Sequence, residues 1–135
     1  MMTLFHGSYI EIKTPLANVG RRNLDFGQGF YLTKVEKQAL NDNIKFKIFE
    51  SYNMEWLEFV VNCRNGRDVY SEYDVVEGGV ADDKVIDTVE DYEKGIITAE
   101  QAIGQLLKKD VNHQICILNQ NVIDKYITFI KSISW

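Results

Sequence analysis

Apolar and polar positions change period several times along this chain, and each change marks an element. Thr3-Leu4-Phe5-His6 is a short apolar run stopped by Gly7-Ser8, which predicts a strand running into a loop. From Ser8 to Asn23 the pattern breaks. This segment carries the only proline, Pro15, together with Gly20, Arg21 and Arg22, and reads as a long surface loop. Phe30-Tyr31-Leu32-Thr33 is aromatic and β-branched and predicts a second strand. Thr33 is then placed to cap a helix over about Val35 to Phe49.

The second half is more regular. Asn53 can cap a helix in which Trp56, Leu57, Val60 and Cys63 share one face, and Asn65-Gly66 ends it. Tyr73-Asp74-Val75-Val76-Glu77 predicts a strand stopped by Gly78-Gly79. Val85, Ile86, Val89 and Tyr92 form a helical stripe that ends at Gly95. Thr98 and Gln101 make a capping box for a helix whose apolar face is Ala102, Ile103, Leu106 and Leu107. Gln114 to Leu118 reads as a buried strand, Asn119 to Lys125 as a short helix, and Tyr126 to Ile130 as a last strand. There is no internal repeat. Strands interrupted by helices without a regular βαβ rhythm predict an α+β fold with a mixed or antiparallel sheet.

The totals narrow the partners. With 135 residues, 45% of them hydrophobic, the chain fits one domain spanning 1–135 with a real core. Its net charge of -5 and its single compact basic pair, Arg21-Arg22, argue against duplex nucleic acid as the default partner. Cys63 and Cys116 lie in apolar segments and read as buried free thiols in a reducing cytoplasm. With no second cysteine at ligand spacing and two histidines in all, no metal site is expected. The N-terminus lacks a basic stretch followed by an apolar core, and no segment approaches the ~18 apolar residues of a membrane span, so a cytosolic protein is expected.

Candidate chemistry gathers in three places. His6, at a strand end, can hydrogen-bond a ribose hydroxyl, and Gly7 lets a planar amide such as the nicotinamide carboxamide approach the backbone. Gly27-x-Gly29-Phe30-Tyr31 lacks the third glycine of a dinucleotide fingerprint and the lysine of a P-loop. It leaves a flexible turn and a tyrosine whose electron-rich face suits a cationic pyridinium. Gln114 opens an apolar strand with an amide that can hydrogen-bond but cannot act as a base. Taken singly, each also has a plain reading as a strand-end, core or edge residue.

Their order resembles the ADP-ribosyltransferase superfamily, in its diphtheria-toxin-like and poly-ADP-ribose-polymerase-like branch with a His, Tyr and Glu triad. Leu4-Phe5-His6-Gly7-Ser8 looks like the first motif and Gly29-Phe30-Tyr31-Leu32-Thr33 like the second. More narrowly, the chain is similar to a bacterial family placed in that superfamily. The similarity rests on Asp25-Phe26-Gly27-Gln28-Gly29-Phe30-Tyr31-Leu32-Thr33, Trp56-Leu57-Glu58-Phe59-Val60, Tyr73-Asp74-Val75-Val76, Val80-Ala81-Asp82-Asp83 and Gln114-Ile115-Cys116-Ile117.

The resemblance implies a split β-sheet with flanking helices and NAD+ as substrate. His6, Tyr31 and Gln114 become the catalytic set, and His6, Gly7, Ser8, Arg21 and Tyr31 the NAD+-binding set. His6 would hold the nicotinamide-side ribose, Gly7 the carboxamide, and Tyr31 the ring. Arg21, Arg22 or Arg64 could meet the pyrophosphate. Gln114 stands where the superfamily has its Glu, so a carboxylate must come from elsewhere, with Glu77, Asp82 and Asp83 as candidates. Single-unit transfer stays compatible, because nicotinamide is already a cationic leaving group.

A second departure is length. Lys34 to Tyr52 has room for a helix and a connection but hardly for the extra strand that relatives insert there, so one wall of the pocket would be short or completed by a partner chain. The implied function is mono-ADP-ribosyl transfer to a protein or nucleic-acid acceptor, with a toxin and its neutralising antitoxin-like protein as one setting. The competing readings are a catalytically degenerate NAD+-binding module and a protein-interaction subunit using Trp56 and Trp135.

Overall fold

The computed structural model describes residues 4–6, 14–18, 23–34 and 44–126. In chain order the elements are β1 (Leu4–Phe5), β2 (Phe30–Lys34), β3 (Phe46–Ile48), α1 (Met54–Arg64), β4 (Val75–Gly79), α2 (Ile86–Glu93), α3 (Ala99–Leu106), β5 (His113–Ile117) and α4 (Gln120–Tyr126). The strands form one sheet in the order β1-β2-β5-β4-β3. All pairings are antiparallel except β3 with β4. This is an α+β fold with a mixed sheet and flanking helices. Among the described residues the sheet is continuous rather than split.

Alternation along the central strands sorts side chains to two faces. Tyr31, Cys116 and Val76 lie in register on one face. There, α1 delivers Trp56, Leu57 and Val60, α2 delivers Val89, and α3 delivers Ala102 and Leu106 to a core that also holds Phe26, Phe49 and Tyr52. Leu32, Ile115, Ile117 and Val75 line the other face, covered by Val122 and Ile123 of α4 and by Ala17. Ala17 shows that the long loop is partly anchored. Its N–H donates to Gln120 Oε1 at 2.8 Å, and Gln120 Nε2 donates to the Pro15 carbonyl at 3.1 Å.

Local signals set the helix ends. Asn53 Oδ1 accepts from Trp56 N, and α1 gives way to Asn65-Gly66. Thr98 and Gln101 form both bonds of the capping box at the start of α3. Leu107 does not join the apolar face of that helix. It follows the last turn and is 72% exposed.

Other expectations change as well. The helix expected to reach Phe49 gives way to β3, which pairs with β4 through Phe46↔Val75, Lys47↔Val76 and Ile48↔Glu77. An additional strand therefore does fit between Lys34 and Tyr52. Gly78 and Gly79 lie inside β4 rather than stopping it. Tyr126 belongs to α4; the rest of the last expected strand, and the segment 35–43, lie outside the described residues. Among the described residues no helix is long and apolar enough to cross a membrane.

Candidate functional site

A turn leads into β2 and organises the polar residues around it. Gly27 sits at φ +85°, and its N–H bonds the Leu24 carbonyl at 3.1 Å. Phe26 is fully buried and stacks between Tyr31 and Phe49, with centroid distances of 6.4 and 6.2 Å. The Tyr31 hydroxyl closes the turn. It donates to the Gly27 carbonyl at 2.6 Å and accepts from Phe26 N at 3.0 Å. Burial, reinforced by the neighbouring Cys116, pushes the Tyr31 phenol far above its ordinary range. Tyr31 therefore works as a neutral hydrogen-bonding strut, and the residue is half-buried against the core.

Burying Phe26 draws Asp25 inward, leaving it 9% exposed. A carboxylate so placed needs donors, and it has them. Asp25 Oδ2 accepts from Ala81 N at 2.9 Å and from Gln114 Nε2 at 3.3 Å. Asp25 Oδ1 accepts from Arg64 Nη1 at 3.2 Å, and Arg64 Nη2 lies 3.8 Å from Glu90. Arg64 comes from the last turn of α1, where a cation also suits the helix dipole. Segments far apart in sequence thus meet on one carboxylate.

His6 follows β1, whose last residue, Phe5, pairs with Thr33. The imidazole continues the contact with β2 in place of backbone. Its Nδ1 lies 2.6 Å from the Tyr31 carbonyl oxygen, and its ring stacks on Phe30 at 4.4 Å. A carbonyl only accepts, so Nδ1 carries the hydrogen. In the neutral ring Nε2 is then an acceptor, on an exposed side chain.

The predicted residues fall as follows. His6 meets the backbone of Tyr31, not its ring. The Phe30 ring against which His6 lies packs with the opposite face of the sheet. Gln114 is opposite Thr33, on the Tyr31 face and half-buried. Gly7, Ser8, Arg21 and Arg22 lie outside the described residues. Arg64 is engaged by Asp25 rather than open for a pyrophosphate.

The carboxylate beside Gln114 is Asp25, whose role the sequence alone does not reveal. Its signal was its position, an acid directly before an aromatic that a tight turn sends inward. Of the other carboxylates, Glu77 stands opposite Ile115, on the far face, and Asp82 accepts from Lys84 N at 3.0 Å in its own turn. His113 is half-buried rather than on the surface. Its Nδ1 makes no hydrogen bond among the described residues, and Glu77 Oε1 is 4.0 Å away.

Both cysteines are buried free thiols, and burial pushes each up to about 12. The thiol is thus favoured in the folded state, and iodoacetamide should leave both cysteines unmodified at pH 8 until denaturant is added. The same shift predicts an alkaline loss of stability. It is absent below the ordinary thiol value of 9.0 and grows as pH rises toward about 12, because the unfolded thiols ionise first. Urea midpoints measured across that range check it.

A family model described as a protein of unknown function (DUF3990) matches residues 2–41 and 35–129. The chain belongs to the DUF3990 family. The matched segments include the β1 end with His6, the turn at Asp25–Gly29 and the Gln114 strand, so the whole constellation lies within the DUF3990 match. No curated protein and no solved structure matches the chain.

Proposed function

We propose that this protein is an NAD+-dependent mono-ADP-ribosyltransferase. One observation carries the reading. The strand order β1-β2-β5 brings together three residues distant in sequence: His6 directly after β1, Tyr31 on β2 and Gln114 on β5. These are the positions to which the resemblance gives the triad. In the reaction the C1′–N bond of the nicotinamide riboside breaks, and its electron pair leaves with nicotinamide. A lone pair of a protein or nucleic-acid acceptor forms the new bond to C1′, and the proton of the acceptor passes to solvent. His6 Nε2 accepts a hydrogen bond from a ribose hydroxyl. Tyr31, held by its hydroxyl, offers its electron-rich ring face to the pyridinium. Gln114 contributes a carbonyl dipole, not a base. NAD+ is the substrate, no metal enters the scheme, and the buried free thiols suit action in the cytosol, with a neutralising protein as partner.

A second reading, an NAD+-binding or protein-interaction module without turnover, is favoured by the tied hydroxyl of Tyr31 and by the placement of the His6 and Tyr31 rings toward different faces of the sheet. One experiment separates the two. The purified chain is incubated with labelled NAD+ and a cell lysate, and nicotinamide release and label transfer are followed. The transferase reading expects both, with His6→Ala lowering turnover about 10- to 100-fold through lost positioning. Calorimetric binding of NAD+ without nicotinamide release would instead select the module.

A further inference from the structure

We propose that Asp25 is a positioning residue that fixes which end of the Gln114 amide faces a bound ribose; its effect on turnover rests on the transferase reading. The geometry is one-sided. An ionised carboxylate only accepts, so the amide edge that faces Asp25 Oδ2 must be the NH2 group, and Gln114 Nε2 lies there at 3.3 Å. The carbonyl Oε1 is then turned away from Asp25. A free glutamine presents either end. This one presents an acceptor, the one hydrogen-bonding property that it shares with a carboxylate.

Asp25 is itself immobilised. Ala81 N and Arg64 hold both of its oxygens, Phe26 is buried beside it, and the Tyr31 hydroxyl locks the turn that carries it. The orientation of Gln114 is thereby inherited from the core rather than from the ligand.

The test compares Asp25→Asn with Asp25→Ala, each also made in a Gln114→Met background, by nicotinamide release from NAD+ per folded molecule. An asparagine can keep its oxygen toward Ala81 N and Gln114 Nε2 while losing the pairing with Arg64. Its turnover is expected to fall a few-fold. Asp25→Ala leaves the amide free and is expected to lose about 100-fold, mainly in kcat. In the Gln114→Met background Asp25→Ala is expected to add less than about twofold, because the group through which it acts is gone.

Equal losses in the Asn and Ala variants at equal folded fraction would overturn the proposal, and so would a full Asp25→Ala effect without Gln114. The side-chain NH2 resonances of Gln114 give a readout that needs no turnover. They should shift and broaden in Asp25→Ala and stay dispersed in Asp25→Asn; unchanged resonances in Asp25→Ala would also overturn it. Absence of nicotinamide release by the wild type would count against the transferase reading alone, and these resonances would still decide the role of Asp25.

Discussion

Gly27→Ala should lower the stability of the fold by about 2–5 kcal/mol, the sum of a left-handed backbone cost and an overpacking cost. Gly27 holds φ +85°, which an L side chain adopts at a penalty. A Cβ there would also lie 2.4 Å from Cδ1 of the Tyr70 ring. Tyr70 is half-buried. Tyr70 caps a turn in which its carbonyl accepts from Tyr73 N at 3.0 Å, and Tyr73 packs against Phe59 of α1.

The consequence for the site is direct, because the Gly27 carbonyl takes the Tyr31 hydroxyl and the adjoining residues are Phe26 and Asp25. Urea unfolding measures the stability loss. The Gln114 side-chain resonances measure whether Asp25 has moved. An unfolding free energy within about 0.5 kcal/mol of wild type, the range of an ordinary surface substitution, would remove the steric argument for this glycine.

Elements whose cause is local were legible in the sequence. The Asn53 cap, the Thr98–Gln101 box and the stripe Trp56, Leu57, Val60 and Cys63 need only near neighbours, and the structure has each of them. Elements whose cause is distant were not. β3 is a strand because its backbone pairs in parallel with β4, and nothing within Phe46–Ile48 announces that partner. Gly78-Gly79 reads as a stop. It continues a strand because it pairs with Gln114 and His113 of β5, and both residues are glycine because Phe49 and Tyr52 occupy the space where two Cβ atoms would stand.

The site divides in the same way. His6, Tyr31 and Gln114 could be named from motif and strand pattern. Asp25 could not be given its role, since that role consists of bonds to Ala81, Arg64 and Gln114, each brought in by a different element.

Trp56→Ala should be the most damaging single truncation, at about 3–5 kcal/mol. Trp56 is the largest of the fully buried side chains. Its indole N–H donates to the Gly79 carbonyl at 2.9 Å, and its ring meets Tyr52 edge-on at 4.6 Å. Tyr52 in turn donates to the Val80 carbonyl at 2.8 Å, and its ring fills the space beside Gly79. The start of α1 is thus riveted to the end of β4 through two aromatic donors. Two residues further along the chain, Ala81 N reaches Asp25; at the other end of α1, Arg64 does.

Truncating Trp56 therefore opens a cavity, orphans a buried carbonyl and loosens both supports of the same carboxylate. Trp56→Phe separates these effects. It keeps most of the packing and loses the donor, so it should cost about 1–3 kcal/mol, the penalty of an unsatisfied buried acceptor. Denaturant unfolding of the two variants gives the ordering, and the Gln114 amide resonances follow the site. If the two variants were equally unstable, the hydrogen bond to Gly79 would account for the anchor and the packing would not. If Phe matched wild type, packing alone would hold α1 against β4.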